Sequence, residues 1–84
     1  MYIVVAYDVD TKRTEMFKKI CQVYLIHVQN SVFEGELNEA QLMRLKANLS
    51  KKVRESEKVQ IWITSKILKK FILGNKEHID EHIL

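Results

Sequence analysis

The chain opens Met1-Tyr2-Ile3-Val4-Val5-Ala6-Tyr7-Asp8-Val9-Asp10. Successive residues of a strand point to opposite faces of its sheet, and here both sets are apolar from Tyr2 to Tyr7. A strand apolar on both faces reads as central and covered on both sides. It runs straight into the carboxylate of Asp8, and Asp10 follows two positions later. A charge at the tip of a buried strand is costly unless solvent, a partner or a metal ion takes it up. Asp8 is therefore the first place to look for chemistry. Bonding to nearby backbone is its competing, purely structural use, and in an arbitrary sequence the commoner one.

The rest of the pattern alternates helix and strand. Asp10 or Thr11 can cap a helix whose apolar positions are Met16, Phe17, Ile20, Cys21, Val23 and Tyr24. Residues 27–37 look extended, as one bent strand or two short ones, and Gly35 suggests a bulge or a close backbone approach. Asn38 with Gln41 resembles a capping box ahead of the stripe Leu42, Leu45, Leu49, Val53. Residues 58–64 alternate, with Val59, Ile61 and Ile63 on one face and Lys58, Gln60, Trp62 and Thr64 on the other. Residues 67–73 are apolar around Lys69-Lys70, Gly74-Asn75 signals a turn, and the variable tail 76–84 reads as a helical turn or a frayed end.

This order predicts an α+β, ferredoxin-like domain, a mostly antiparallel sheet with two helices on one face. Two helices cover one face only, whereas the first strand is apolar on both and Trp62 sits opposite its aliphatic neighbours. The 84 residues form a single domain with a thin core, so a second copy is the expected cover, giving a homodimer with facing sheets.

Composition limits the function classes. A single cysteine excludes an internal disulfide, and Cys21 on an apolar helix face reads as a buried structural thiol. The opening apolar run lacks a basic flank and ends in carboxylates, so no secretory signal is expected. No stretch is long enough to span a bilayer, and the expected location is cytoplasmic, without membrane contact. Charge is uneven. Between Arg44 and Lys70 nine basic residues face only Glu55 and Glu57, whereas the flanking segments are mildly acidic. Such a block, which includes Arg44, Lys51, Lys52 and Arg54, suits a phosphate backbone as well as it suits a solvated helix face.

An acidic strand tip and a basic block jointly favour one enzyme class, metal-assisted phosphodiester chemistry. One carboxylate holds a divalent ion weakly, since magnesium usually takes one or two carboxylates and keeps several waters. A two-fold axis near the strand end would bring Asp8 to its own copy. Ser31 can donate to a phosphate, and Phe33 can stack on a base or, as its spacing favours, fill the core. His78-Ile79-Asp80-Glu81-His82 formally fits the H-x-x-E-H zinc pattern, but it lacks a supporting helix, a third ligand and a cleft, so it carries no expectation.

Two segments converge on one family. Tyr7-Asp8-Val9 closes the first strand ahead of Lys12-Arg13, and Val28-Gln29-Asn30-Ser31-Val32-Phe33-Glu34-Gly35-Glu36-Leu37 follows. Together they resemble the second CRISPR-associated (Cas) protein family, small endoribonucleases of spacer acquisition, over residues 1–73. The resemblance implies a ferredoxin-like homodimer, Asp8 as the magnesium ligand (manganese serving in its place) at the subunit interface, and a last strand, 67–73, that packs across onto the partner's sheet. It implies two kinds of function. One is a metal-dependent endonuclease on RNA or DNA, with Asp8, Arg13, Ser31 and Phe33 as site residues and Arg13 steadying the phosphate. The other is a non-catalytic adaptor that holds duplex DNA through Arg44, Lys51, Lys52 and Arg54 and bridges the Cas integrase. A toxin ribonuclease sharing the strand-end aspartate is a third reading, and a small-molecule regulatory domain a fourth. The chain departs from the family at His27, where arginine is frequent, and near Tyr24, where glycine is frequent.

Overall fold

The computed structural model describes residues 1–64 and, as backbone, residues 69–73 and 79–83. Strand β1 (Tyr2–Asp8) leads through a short 3-10 turn (Thr11–Arg13) into α1 (Thr14–Cys21). Then come β2 (Ile26–Gln29), β3 (Val32–Glu36), α2 (Glu39–Lys52), β4 (Lys58–Thr64), β5 (Lys69–Leu73) and β6 (Ile79–Ile83). The first four strands form an antiparallel sheet in the order β2-β3-β1-β4, which makes β1 central, as its composition requires.

Local signals account for the boundaries. The Asp10 side chain accepts from the Lys12 amide at 2.9 Å and starts the 3-10 turn. At α2 the capping box is complete: Asn38 Oδ1 accepts from the Gln41 amide at 2.8 Å and Gln41 Oε1 from the Asn38 amide at 2.9 Å. The extended segment resolves into two strands joined at Asn30-Ser31, with Asn30 at φ 40°, a left-handed value that asparagine tolerates better than most residues. The bulge falls between His27 and Gln29 of β2, not at Gly35. Gly35 marks the close approach instead, because a Cβ there would stand 3.2 Å from Leu25 Cδ2.

The core lies between the sheet and the helices. Ile3, Val5, Tyr7 and Phe33 meet Phe17 and Cys21 of α1, Leu25, and Leu42, Leu45 and Leu49 of α2. Among the described residues no helix lies on the opposite face. Register places Ile26, Glu34, Val4 and Trp62 in one row across all four strands there, with Ile26 73% and Trp62 50% exposed. The apolar second face is thus present, and open among the described residues.

The tail corrects an expectation. Ile79–Ile83 is neither a helical turn nor frayed but a strand, paired antiparallel with β5 in a separate two-stranded sheet. Leu73 opposes Ile79 and Lys69 opposes Ile83, so the ladder with β5, rather than local preference, sets the form of this segment. The H-x-x-E-H pattern consequently lies on a strand rather than a helix, and its first histidine, His78, falls outside the described residues, as do Gly74-Asn75 and the first two residues of the 67–73 segment. No helix among the described residues is long and apolar enough to cross a membrane.

Candidate nucleic-acid and metal site at the end of the sheet

Alternation along β1 fixes where Asp8 points. Ile3, Val5 and Tyr7 enter the core, so Asp8 continues the row Tyr2, Val4, Ala6 on the open side. Its carboxylate is exposed, and among the described residues no hydrogen bond or ion pair engages it. Asp8, Val9, Asp10, Arg54, Ser56 and Glu57 line a shallow cleft of about 340 Å³ at this end of the sheet. The turn after β2 reaches the same end, because the Tyr7 amide donates to the Ser31 carbonyl at 3.1 Å. Burial first, then nearby Cys21, raises the Tyr7 phenol above its ordinary pKa, against a hydrogen bond with the Ser31 side chain.

Arg13 is engaged by protein. Its Nε donates to Glu57 Oε2 at 2.7 Å and its Nη2 to Glu57 Oε1 at 3.1 Å, a forked pair, and Nη2 also donates to the Lys52 carbonyl. Its guanidinium lies 5.6 Å from the centre of the Phe17 ring. Glu57 further accepts from the Arg54 amide at 2.9 Å. These donors, Arg13 foremost, hold the Glu57 carboxyl down at about 2. The forked pair and the Lys52 carbonyl together thus take up three of the five Arg13 N–H donors that the sequence offered to a phosphate.

Phe33 is fully enclosed, with its ring 4.6 Å from that of His27 and 6.1 Å from that of Tyr7. It fills the core and presents no face to a base; the ring at the surface is that of His27, which lies against Phe33 and meets the Asn30 carbonyl through Nε2. Cys21 is equally enclosed, and burial pushes its thiol up to about 12, which removes it as a nucleophile.

The basic residues divide by position. Arg44 Nε donates to the Tyr24 hydroxyl at 3.2 Å, tying α2 to the end of α1. Lys51 and Lys52 are exposed in the last turn of α2, where they also complement the helix dipole. Arg54 alone of the four reaches the Asp8 cleft. Lys58 joins it from another direction, since it is the direct cross-strand partner of Asp8 on the same face. Charge counting alone did not single out Lys58; the one-to-one antiparallel register of β1 with β4 does.

Metal capacity follows from this inventory. Among the described residues no three His, Cys, Asp or Glu side chains cluster as a cation cage. Asp8, unengaged and open to solvent, with Asp10 lining the same cleft, fits an ion that takes one or two carboxylates and keeps its waters, which is the habit of magnesium.

The model of the family described as CRISPR associated protein Cas2 matches residues 1–71. The chain belongs to the Cas2 family. It is 40% identical over 85 residues to a protein of Pyrococcus furiosus named CRISPR-associated endoribonuclease Cas2, covering 100% of both chains. A Fusobacterium nucleatum relative of the same name is 50% identical over 60 residues, a match that takes in 66% of this chain but 57% of that protein. A crystal structure described as cas2 superposes with a TM-score of 0.81 at 39% identity, covering 100% of this chain and 98% of that one. Streptococcus pyogenes Cas2 gives a TM-score of 0.70 at 30% identity, over 77% of this chain and 87% of that one. The ferredoxin-like fold expected from the order of strands and helices is the one found, in its Cas2-like form.

Proposed function

We propose that the protein is a Cas2 endoribonuclease of a CRISPR antiviral system, a metal-dependent phosphodiesterase that takes part in acquiring new spacers. The supporting observation is Asp8, an unengaged carboxylate at the end of a central strand, on the open side of the sheet. Two copies meet through their open faces, so that Asp8 and the partner's Asp8 anchor one magnesium ion, or manganese in its place. Bound there, the ion supplies charge neutralisation at the phosphate and a more acidic water. Arg54 and Lys58 flank Asp8 and draw the phosphodiester to it, and Ser31 on the neighbouring turn offers a hydroxyl donor. RNA is the substrate suggested by the names of the relatives, and DNA offers the same phosphodiester.

Asp8→Ala tests this reading. Cleavage should fall by roughly 100-fold or more, the scale of removing one preorganised electrostatic interaction, while nucleic-acid binding persists. Equal cleavage by wild type and Asp8→Ala in magnesium would remove Asp8 from the site. A second reading has its own observation: Lys51, Lys52 and Arg54 are exposed cations, so the dimer can serve as an adaptor that grips duplex DNA and bridges the Cas integrase. Full spacer acquisition by the Asp8→Ala variant, with loss in a Lys51→Glu, Lys52→Glu variant, would favour the adaptor.

A further inference from the structure

Asp8 is followed by a connection, Val9-Asp10, that must hold still if the carboxylate is to hold an ion, and its own bonds are few. The Asp10 carbonyl accepts from the Arg13 amide at 2.8 Å and the Asp10 side chain caps the 3-10 turn. Asp8 is also paired with Lys58 in the ladder and Val9 packs on the core, but the long-range side-chain bonds of residues 8–13 centre on one distant carboxylate. Glu57, on the connection between α2 and β4, binds Arg13 with both carboxylate oxygens, and its Oε2 stands 3.5 Å from the Asp10 amide. Its Oε1 accepts from the Arg54 amide, and the Glu57 amide donates to the Arg54 carbonyl at 2.9 Å, which shapes the turn carrying Arg54. Arg13 completes the clamp by donating to the Lys52 carbonyl at the end of α2.

Glu57 is 5% exposed at its side chain, so this is an enclosed and nearly saturated acceptor rather than a loose surface pair. It also lines the Asp8 cleft. A carboxylate there with spare charge would repel Asp8 and compete with it for a cation; the Arg13 fork neutralises it. We infer that Glu57 is the positioning residue of the Asp8 site, fixing the Asp8–Arg13 segment and the Arg54 turn together while Arg13 silences its charge. The inference rests on the proposed role of Asp8 as the metal anchor. It assigns Arg13 to the same clamp, at one remove from the phosphate.

Manganese titration of the full chain without nucleic acid, followed by electron paramagnetic resonance of the free ion, tests it. Wild type is compared with Asp8→Asn, Glu57→Gln and Arg13→Lys. Amide hydrogen exchange of the same proteins supplies a readout that a general stabilising role would not reproduce. Glu57→Gln should raise the manganese midpoint by roughly tenfold, the scale of one charge-assisted hydrogen bond. Exchange at Asp10, Lys12 and Arg13 should accelerate by a similar factor, with Ile3, Val5 and Phe33 unchanged. Arg13→Lys keeps a cation but loses the fork, so it should shift both readouts less; it carries the test if Glu57→Gln does not fold. Loss of manganese binding in Asp8→Asn with wild-type midpoints in the Glu57 and Arg13 variants would overturn the positioning role alone. Uniform acceleration of exchange across β1 and β3 would also overturn it. Wild-type manganese binding by Asp8→Asn would sink the metal reading, and the inference with it.

Discussion

Replacing Phe33 separates a core residue from a base-stacking one. Phe33 is 0% exposed and packs between Tyr7 and His27 in the sheet layer of the core. Truncating an enclosed phenylalanine to alanine costs about 3–5 kcal/mol, the transfer of the ring plus the cavity left behind. For a domain of this size each kcal/mol moves the melting midpoint by roughly 4–8 °C. Phe33→Ala should therefore melt roughly 12–40 °C below wild type, a large share of a marginal stability. Phe33→Leu fills most of the space and should cost less than about 1.5 kcal/mol, or a midpoint drop below roughly 12 °C. A stacking role makes the opposite demand. Removing an aromatic platform weakens single-strand binding by about 1–3 kcal/mol per base, roughly 5–150-fold, whatever the thermal stability. Calorimetry and fluorescence-anisotropy titration of Phe33→Leu with a short single-stranded RNA decide between them. The structure requires a lowered midpoint with affinity within about twofold of wild type. A Phe33→Leu protein that melts like wild type and binds RNA fivefold or more weakly would refute the placement of Phe33 in the core.

Other outcomes follow from individual side chains. Asn38→Ala removes half of the capping box and should cost about 1 kcal/mol, read as a melting midpoint lower by roughly 4–8 °C. Glu57 has a folded pKa of about 2 against an ordinary 4.5, so its carboxylate stabilises the fold above pH 4.5 and that contribution fades as pH falls towards 2. Melting of wild type and Glu57→Gln between pH 7 and pH 2 should show a gap that closes over this window; a gap that stays constant to pH 2 would contradict the assignment. Lys51→Ala with Lys52→Ala should flatten the log–log salt dependence of duplex binding by about 0.9 for each phosphate that is no longer neutralised, and an unchanged slope would take both lysines off the interface. Trp62→Glu places a charge in the open-face row beside Val4 and Glu34, and should convert the proposed dimer to monomer in sedimentation without unfolding it; a dimer that survives would move the interface elsewhere.

The parts of the fold legible in the sequence were those where one residue pattern has one physical solution. The doubly apolar run Tyr2–Tyr7 could only be central, and it is flanked on both sides by antiparallel partners. Asn38 and Gln41 could satisfy each other's backbone amides only at a helix start, and they do. The Ile79–Ile83 strand was not legible because a charged five-residue segment has no strong local preference; its pairing with β5, a contact with another segment, decides its form. The site divides in the same way. That Asp8 stands at the strand end is a consequence of local pattern. That Arg13 faces Glu57, 44 positions away, is not, because an Arg and a Glu far apart in sequence give no sign of which charges will meet. Lys58 was hidden for a related reason: counted with the basic block, it belongs to the acidic tip, and only the register of two strands says so.

The open face and the strand-end carboxylate are one feature of the backbone seen twice. Tyr2, Val4, Ala6 and Asp8 alternate with the core residues of β1, so the row that leaves apolar area exposed is the row that ends in the charge. Any partner that covers the first three must pass close to the fourth. If that partner is a second copy related by a two-fold axis, the cover brings its own carboxylate, and the two repel until a cation lies between them. Burial of the apolar face then favours association, whereas the paired charges oppose it in the absence of metal. In the proposed dimer, metal binding and subunit association are thus linked and must strengthen one another by the same factor. Arg54 and Lys58 stand at the same end of the sheet and relieve part of that repulsion, and a phosphate entering there would draw the same two cations toward itself. In that proposed assembly, substrate, ion and second subunit would act on a single charge balance set by Asp8. The Arg13–Glu57 pair, neutral as a unit, keeps a third carboxylate out of it.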